Sequence, residues 1–256
     1  MTAARNEPPA ELRRLLPDAG SLTADELAAS WDFAALAPAG RPFVAVNMVS
    51  TVDGRASVAG RTAPISSVAD RQLFHALRTR VDAVMVGAGT VRAERYGRLV
   101  RDPHRREQRV VVGLQADPIA IVVSGRLDLS CELPLFADAA SHVVVITASA
   151  ASIDGCEARV EYLRSSPVDL GSALARLRSE YGVRSILCEG GPSLNGALLA
   201  GGLIDELFLT TVGKLAGGAG ALTIIGSAPM DEPVGARLLS LCECDGELFA
   251  RYAIGG

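Results

Sequence analysis

The sequence has few of the residues that build disulfide frameworks and metal centres. It contains five cysteines and three histidines in 256 residues, and His75, His104 and His142 stand far apart. An odd, sparse set of cysteines favours free thiols in a reducing cytoplasm. Cys242 and Cys244 alternate along one predicted strand and face opposite sides of it, which argues against a paired metal ligand. We therefore expect free thiols and no metal site.

Long apolar runs and strong net charge are missing as well. No hydrophobic run reaches the roughly 18 to 20 residues that a membrane span needs, and the N-terminal MTAARNEPPAELRRLL has no apolar signal core. A formal net charge of -4 gives no reason to expect nucleic acid or a membrane as partner. We expect a cytoplasmic protein. With 49 % hydrophobic residues, the chain can form one large α/β domain or two small ones.

The most informative stretch follows a short apolar run at 185–188, which predicts a buried strand. The run stops at Glu189, Gly190, Gly191 and Pro192, and a helical pattern then begins. Proline suits a first helical position, and glycine permits a close ligand approach. A strand, a glycine pair and a helix start together offer free backbone N–H groups to a phosphate. A tight turn whose glycines serve only packing is the alternative.

A second turn of the same kind lies upstream. The predicted strand at 81–86 runs into Gly87, Ala88, Gly89 and Thr90. This GAGT segment lacks the third glycine of the Rossmann fingerprint and the lysine of a P-loop, so it is weak on its own. Two such turns in one domain suit a ligand with a pyrophosphate, which means a dinucleotide.

The remaining pattern alternates strands with helices. Strands are predicted over 43–52, 82–86, 110–114, 119–123, 142–147, 159–163, 185–188, 204–212, 236–244 and 247–254, and helices over 11–16, 23–36, 68–79, 169–181 and from 192 onward. This order predicts a mostly parallel sheet with helices on both faces and an antiparallel C-terminal hairpin. Residues 1–40 are interpreted as a helical extension, a packing arm at one end of the sheet. The arginine-rich segment 94–106 is interpreted as a solvated loop.

Ligands of such sheets gather at the carboxyl ends of the strands. The segments 47–54, 87–92, 124–126 and 189–195 all lie at predicted carboxyl ends, and this convergence is stronger than any one motif. Ser124 and Arg126 suit a ribose 2′-phosphate, which would select NADP over NAD, although a plain turn is equally compatible. Asp53 precedes a glycine and is also typical of a turn.

Three segments resemble a known family. STVDGRAS at 50–57, VDAVMVGAGTVRAE at 81–94 and ILCEGGPSLNGALLAGGLIDELFLT at 186–210 are similar to the reductase domain of riboflavin biosynthesis. This domain is the C-terminal half of bacterial deaminase–reductases and is related in fold to dihydrofolate reductase. The resemblance implies a three-layer α/β fold with a twisted sheet, an NADPH cofactor, a heterocyclic substrate and commonly a homodimer, with the reductase domain over 41–256. The zinc motifs of the deaminase half do not occur in the sequence, so we expect no deamination.

The resemblance also assigns residues by position. The cofactor positions are Val49, Pro64, Gly87, Ala88, Gly89, Thr90, Glu94, Ser124, Arg126, Gly190, Gly191, Pro192, Ser193, Leu194, Asn195 and Gly196. The substrate positions are Asn47, Thr62, Arg78, Arg101 and Glu189, and the candidate catalytic residues are Asp53 and Glu189. The implied reaction transfers a hydride from NADPH to C1′ of a phosphoribosylamino-pyrimidine.

Three departures from the family pattern surround the substrate pocket. The usual lysine is Asn47, the usual tryptophan is Pro64, and the usual Asp-Asn-Pro is Glu94, Arg95 and Tyr96. The cofactor motifs are retained. A paralogue that reduces a pterin such as dihydrofolate is therefore an alternative, and a non-catalytic NADPH-binding protein is another.

Overall fold

The sheet and its helices are seen in a computed structural model that describes residues 8–218, 222–226 and 232–255. The strands are β1 (Glu11–Leu16), β2 (Gly20–Thr23), β3 (Phe43–Thr51), β4 (Ala83–Gly87), β5 (Ile119–Val123), β6 (His142–Thr147), β7 (Arg159–Arg164), β8 (Ser185–Cys188), β9 (Glu206–Val212), β10 (Ala236–Cys244) and β11 (Glu247–Ile254). The helices are α1 (Ala24–Ala29), α2 (Val68–Leu77), α3 (Ala88–Glu94), α4 (Pro103–Val111), α5 (Leu170–Tyr181) and α6 (Pro192–Ala200).

The strands of the described ranges form one sheet of 11, in the order β2-β1-β10-β11-β9-β3-β8-β4-β5-β6-β7. Pairing is parallel from β9 through β3 to β7 and antiparallel from β2 through β10 and β11 to β9. The predicted C-terminal hairpin is confirmed, and Asp245 and Gly246 make its turn with positive φ angles. The parallel strands end at one edge of the sheet, called here the carboxyl rim.

Two apolar layers enclose the sheet. The first contains the apolar faces of α1, α2 and α3, with Leu27, Leu73 and Val91 among its buried side chains. The second lies on the opposite face under α5 and α6, where Leu174 and Leu198 are fully buried. The sequence places these residues at helical spacing, so each helix presents one apolar stripe to the sheet. This arrangement confirms the predicted three layers.

The N-terminal segment differs from the sequence prediction. Residues 11–16 form strand β1 instead of a helix, because β1 pairs with both β2 and the edge of β10. The predicted Thr23 cap is confirmed: its side chain accepts a hydrogen bond from the Glu26 N–H in a capping box. The helix, however, ends at Ala29 instead of Leu36. The segment extends one edge of the sheet by two strands, β1 and β2.

The region after the first glycine turn was also predicted wrongly. Residues 110–114 are no strand, because residues 103–111, from the end of the predicted loop into the predicted strand, form α4. Asp102 caps this helix through the His104 N–H, and Pro103 takes the first helical position. The valine run at 110–112 has high strand propensity, but these side chains are exposed at the helix end while Arg109 is buried. Tertiary contacts of one arginine thus outweigh the local propensity.

Candidate active site

The first glycine turn joins β4 to α3. Gly87 is the last residue of β4 and the N-cap of α3, and no side chain caps this helix start. The first N–H groups of α3 therefore face the carboxyl rim without a side-chain acceptor. Thr90 lies in the first turn and places its hydroxyl beside this helix start.

The second glycine turn joins β8 to α6. Gly190 has a φ of 77°, a conformation that favours glycine, and an added Cβ there would lie 3.1 Å from Met48 Sδ. Gly191 is the N-cap of α6, Pro192 follows at the first helical position, and no side chain caps this helix either. Both helix starts on the rim thus keep uncapped backbone donors.

The two turns lie directly against each other. The Gly87 N–H donates to the Gly190 carbonyl over 2.7 Å, and an added Cβ on Gly191 would lie 2.8 Å from Thr90 Oγ1. Such a distance is shorter than real Cβ contacts allow, so any side chain at 191 would displace Thr90. The prediction that two distant glycine segments meet on one rim is confirmed, since β8 inserts between β3 and β4.

Part of the second turn faces the core. The Asn195 side chain is fully buried, where Nδ2 donates to the Ile224 carbonyl and Oδ1 accepts a 3.6 Å contact from Cys188 Sγ. Leu194 is buried in the second apolar layer. The side chains of Leu194 and Asn195 hold the turn in place, and the cofactor role that the resemblance assigns to these positions stays a prediction. Gly196 is buried with them, whereas Ser193 is exposed.

A third segment of the rim follows β5. Ser124 is buried, and its N–H donates to the Ile146 carbonyl of β6. Arg126 is exposed two residues later and has no hydrogen-bond partner among the described residues. Its guanidinium is therefore free to meet an anion at the same edge as the glycine turns.

A buried ion pair closes the rim near β8. Glu189 directly follows the strand, and Arg78 donates to both of its carboxylate oxygens, each over 2.7 Å. The Tyr96 hydroxyl donates to Glu189 Oε2 over 2.6 Å, and Arg78 Nη1 donates to the Leu99 carbonyl. Burial, and then the negative charge of Glu189, raise the pKa of Tyr96 well above its usual value. The phenol is therefore a neutral donor to a buried carboxylate.

Two residues that the resemblance assigns to different ligands bind each other. Glu94, a cofactor position, accepts hydrogen bonds from the N–H and the hydroxyl of Thr62, a substrate position, over 2.9 and 3.1 Å. This pair fixes the loop after β3 against the end of α3. Neighbouring Pro64 is exposed, and its carbonyl accepts a hydrogen bond from Lys214 Nζ.

Asp53 orders a second loop. Its carboxylate accepts hydrogen bonds from the Thr51 hydroxyl and from the N–H groups of Ala216 and Gly217, the last over 2.7 Å. These bonds, with the Thr51 hydroxyl first, lower the pKa of Asp53 to about 2. The aspartate is thus more than a turn former, because it ties residues 214–217 to the carboxyl end of β3.

The other predicted residues lie on β3 and on the segment between α3 and α4. Asn47 is half-buried in the strand, and Val49 is buried against Ile65 and Val212. Arg101 is exposed. An added Cβ on Gly97 would come 2.7 Å from the Arg101 guanidinium, so the two residues are in contact.

Comparison of the sequence with known proteins identifies the family of this chain. Residues 42–249 match the RibD C-terminal domain. The chain belongs to this family. The 2,5-diamino-6-ribosylamino-4(3H)-pyrimidinone 5′-phosphate reductase of Methanothermobacter thermautotrophicus is 31 % identical over 205 residues, which cover 78 % of this chain and 91 % of the relative. The enzyme of the same name from Archaeoglobus fulgidus is 34 % identical over 176 residues, with 65 % and 78 % covered.

Bifunctional members of the RibD family are longer. The riboflavin biosynthesis protein RibD of Actinobacillus pleuropneumoniae is 28 % identical over 195 residues, and the match covers 73 % of this chain but 49 % of that protein. The chain therefore spans about half of the RibD proteins it matches.

Solved structures show the same fold. A pyrimidine reductase-like protein from Corynebacterium diphtheriae has a TM-score of 0.72 at 23 % identity, with 91 % of this chain and 99 % of that chain covered. The deaminase and 5-amino-6-(5-phosphoribosylamino)uracil reductase from Thermotoga maritima has a TM-score of 0.68 at 23 % identity, with 84 % and 57 % covered. The predicted dihydrofolate-reductase-like α/β fold is confirmed.

Sequence reasoning missed two titratable residues of α2 and one contact of Glu189. Asp70 is a buried carboxylate on the sheet-facing side of α2, and Tyr96 contacts Glu189. Burial and the charges of nearby arginines, Arg78 first, lower the pKa of His75 to about 3. The signal for Asp70 was an acid within the apolar stripe of a predicted helix. Tyr96 was named only as a departure from the family pattern, and its contact with Glu189 was not predicted because the two residues are 93 apart in sequence.

Two further kinds of feature are absent from the described ranges. No group of three or more histidine, cysteine, aspartate or glutamate residues there is placed to hold a metal ion. No helix of the same ranges has the length and apolar character to cross a membrane.

Proposed function

We propose that the chain is a reductase of the phosphoribosylamino-pyrimidine intermediate of riboflavin biosynthesis, with a reduced nicotinamide cofactor. The archaeal relatives that match most of the chain carry such reductase names. The observation that carries the proposal is the contact between the glycine turns at 87–90 and 190–191. Together they make one backbone surface on which a pyrophosphate can lie.

The residues fit a dinucleotide at this place. Side chains at Gly87 or Gly191 would fill the space where the turns approach, since the nearest atoms lie 3.5 and 2.8 Å from the added Cβ positions. The free N–H groups of both helix starts and the Thr90 hydroxyl are donors suited to phosphate oxygens. Ser124 and the unpartnered Arg126 suit a ribose 2′-phosphate, so we propose NADPH as the form bound. Val49 and Pro64 would then lie along the nicotinamide.

The proposed reaction converts a ribosylamine into a ribitylamine. When bound, the reduced nicotinamide supplies a hydride to C1′. The C1′–O4′ bond of the ribosyl ring opens, and O4′ takes a proton from water. Asp53 holds residues 214–217 against β3 and so forms one wall of the site.

The substrate residues take distinct parts in this proposal. Arg78 already donates through Nε, Nη1 and Nη2 to protein acceptors, so it holds Glu189 in place. Arg101 is exposed two residues after Leu99, whose carbonyl accepts a hydrogen bond from Arg78, and it is left to bind the 5′-phosphate as a charge-assisted contact. Glu189, Thr62 and Asn47 surround the sugar and the pyrimidine.

A glycine substitution tests the proposal. Valine at Gly191 adds bulk on the phosphate path, so we expect Gly191→Val to lower NADPH affinity at least about 100-fold, or about 2.7 kcal/mol, in a fluorescence titration. Gly235→Val is the matched control, because nothing lies within 4 Å of its added Cβ. Far-UV circular dichroism checks that both variants fold. Retained affinity in a folded Gly191→Val protein contradicts the cofactor site.

Turnover distinguishes the candidate substrates. We expect the wild-type protein to oxidise NADPH in the presence of a phosphoribosylamino-pyrimidine, followed at the nicotinamide absorbance band. Oxidation only with dihydrofolate would replace the proposal by a pterin reductase. Tight NADPH binding without turnover on any of these substrates would leave a non-catalytic protein.

The proposal also includes the oligomeric state and the cellular compartment of the protein. We expect a homodimer, as the family resemblance implies, and sedimentation equilibrium measures it directly. A reducing compartment such as the cytoplasm is supported by the five cysteines, all of which are free thiols.

A further inference from the structure

Two cysteines from neighbouring connections of the sheet lie side by side. Cys131 belongs to the connection between β5 and β6, and Cys156 belongs to the connection between β6 and β7. A Cβ atom added to Gly155 would lie 3.8 Å from Cys131 Sγ, which is ordinary van der Waals contact. The sulfur of Cys131 therefore lies against the residue that directly precedes Cys156.

Backbone hydrogen bonds hold these two connections together on both sides of the cysteines. The Phe136 carbonyl accepts hydrogen bonds from the N–H groups of residues 157 and 158, each over 3.0 Å, and the Gly125 carbonyl accepts one from the Ala148 N–H over 3.3 Å. One cysteine lies between Gly125 and Phe136 in the sequence, and the other lies between Ala148 and residue 157. The fold itself thus brings the two thiols together.

Exposure distinguishes this pair from the other cysteines. Cys188, Cys242 and Cys244 are buried, whereas Cys131 and Cys156 are partly exposed. A small oxidant in solution reaches a partly exposed sulfur, and the oxidation of thiols is selective for such positions. The exposed pair therefore combines access for an oxidant with a neighbouring thiol.

The two thiols differ in their surroundings. Cys156 Sγ donates a hydrogen bond to the Ile153 carbonyl over 3.5 Å. Burial, and then the charges of Cys131 and Asp154, raise the pKa of Cys156. The interaction of one sulfur with the charge of the other agrees with their proximity, because it weakens with distance. Cys156 is kept as a thiol at neutral pH, and we assign the first attack on an oxidant to Cys131.

We propose that Cys131 and Cys156 are a modification site at which hydrogen peroxide forms a reversible disulfide, and that this bond stabilises the fold. The inference is independent of the proposed reduction. The bond would close a loop that contains the whole of β6, and it would fasten the chain that follows the third segment of the rim. A cross-link of this kind stabilises a protein mainly by restricting its unfolded chain.

The oxidation takes place in two steps. The Cys131 thiolate attacks one oxygen of hydrogen peroxide and the O–O bond breaks, so that the sulfur becomes a sulfenic acid and the second oxygen leaves as hydroxide, which is protonated to water. The Cys156 sulfur loses its proton and attacks the sulfenic sulfur, the S–O bond breaks, and a second water leaves. Together the two thiols lose two electrons and two protons, and one peroxide becomes two waters. A dithiol such as dithiothreitol reverses the modification by thiol–disulfide exchange.

The experiment treats the reduced full chain with hydrogen peroxide, blocks the remaining thiols with a maleimide and digests the protein with trypsin. The sequence has no lysine or arginine at 127–158, so both cysteines lie in the single peptide 127–159. We expect mass spectrometry to find this peptide lighter than its reduced form by two hydrogen atoms and without maleimide. Thiols counted after unfolding should fall from five to three, and dithiothreitol should restore all five. The oxidised protein should melt at least about 5 °C higher than the reduced protein.

Three serine variants provide the controls. Cys131→Ser and Cys156→Ser should each abolish the linked peptide and the rise in melting temperature. A sulfenic-acid reagent such as dimedone should label Cys131 in the Cys156→Ser protein, whereas Cys156 should stay unlabelled in the Cys131→Ser protein. Cys244→Ser removes a buried thiol of β10 and should keep both the linked peptide and the rise.

The outcomes that overturn the inference are equally specific. They are the persistence of all five thiols in peroxide-treated wild-type protein, a disulfide between two chains or with a different cysteine, and a linked protein that melts no higher than the reduced one. Because the wild-type peptide decides the linkage directly, a serine variant that fails to fold does not remove the test. None of these results bears on turnover with NADPH, so the proposed reductase stands or falls separately.

Discussion

Glu189 illustrates how single residues define the site. It is 7 % exposed, yet both carboxylate oxygens have charged or hydroxyl donors from Arg78 and Tyr96. A buried carboxylate is tolerated only with such partners. The resemblance implies Asp-Asn-Pro at residues 94–96, and in this chain Tyr96 supplies there the phenol that contacts Glu189. We therefore expect Tyr96 to be a positioning residue that acts through Glu189.

Removing the phenol hydroxyl tests this role. Tyr96→Phe keeps the ring beside Arg78 but deletes a charge-assisted hydrogen bond, which is worth about 1.5–3 kcal/mol. We expect KM for the pyrimidine substrate to rise about tenfold or more, with NADPH affinity unchanged. Steady-state kinetics and a cofactor titration separate the two effects. An unaltered KM, or an equal loss of NADPH affinity, would contradict a role specific to the substrate side.

At the scale of elements, α4 is joined to α2 and β4 by one side chain. Arg109 is fully buried, and Nη1 donates to the carbonyls of Arg78 and Val81 while Nε donates to that of Gln115. Desolvation lowers its pKa to about 10, so it remains charged at neutral pH. The arginine thus satisfies acceptors at the end of α2 and at the turn into β4. It also fixes the backbone of Arg78.

Loss of this connection should destabilise the protein. Arg109→Met leaves two buried carbonyls, those of Arg78 and Val81, without their donor, at about 1–3 kcal/mol for each. We expect the free energy of unfolding to fall by at least about 2 kcal/mol in urea denaturation. Arg61→Met is the control at an exposed position and should change it by no more than about 0.5 kcal/mol. Equal effects in both variants would show that the buried contacts add nothing.

At the scale of the whole molecule, the N-terminal segment belongs to the same core as the matched domain. Leu12 and Phe33 are fully buried. Phe33 packs against Phe43 and Phe208 with ring centroids 5.8 Å apart in both pairs, and β1 pairs with the edge of β10. An exposed strand edge invites association with another chain. The segment therefore covers both apolar surface and the β10 edge.

Deleting residues 1–40 tests whether 41–256 is an independent domain. Each large buried side chain contributes about 1.5–3 kcal/mol, so we expect the truncated chain to lose at least about 5 kcal/mol of stability and to aggregate through β10. Urea denaturation and light scattering measure these effects. A truncated protein as stable and as monodisperse as the full chain would establish the boundary at residue 40.

Local sequence patterns predicted many of the strands and turns of this protein. The apolar runs at 142–147 and 185–188 match β6 and β8 residue for residue, because buried parallel strands read as continuous apolar segments. The two glycine turns could also be predicted from the sequence, since only glycine tolerates such a close backbone approach. Parallel strand polarity placed both turns on one rim, but their direct contact depends on the strand order, in which β8 is next to β4.

Only the tertiary structure decided the rest. Residues 11–16 form a strand because they pair with the edge of β10, which is more than 200 residues away in the sequence. Residues 103–111 form a helix anchored by Arg109, and local propensity does not show the contacts of this buried side chain. The partners of Glu189 were hidden for the same reason: Arg78 and Tyr96 lie 111 and 93 residues away. Sequence periodicity records which face of an element is apolar, whereas the pairing of buried polar groups depends on how the elements pack.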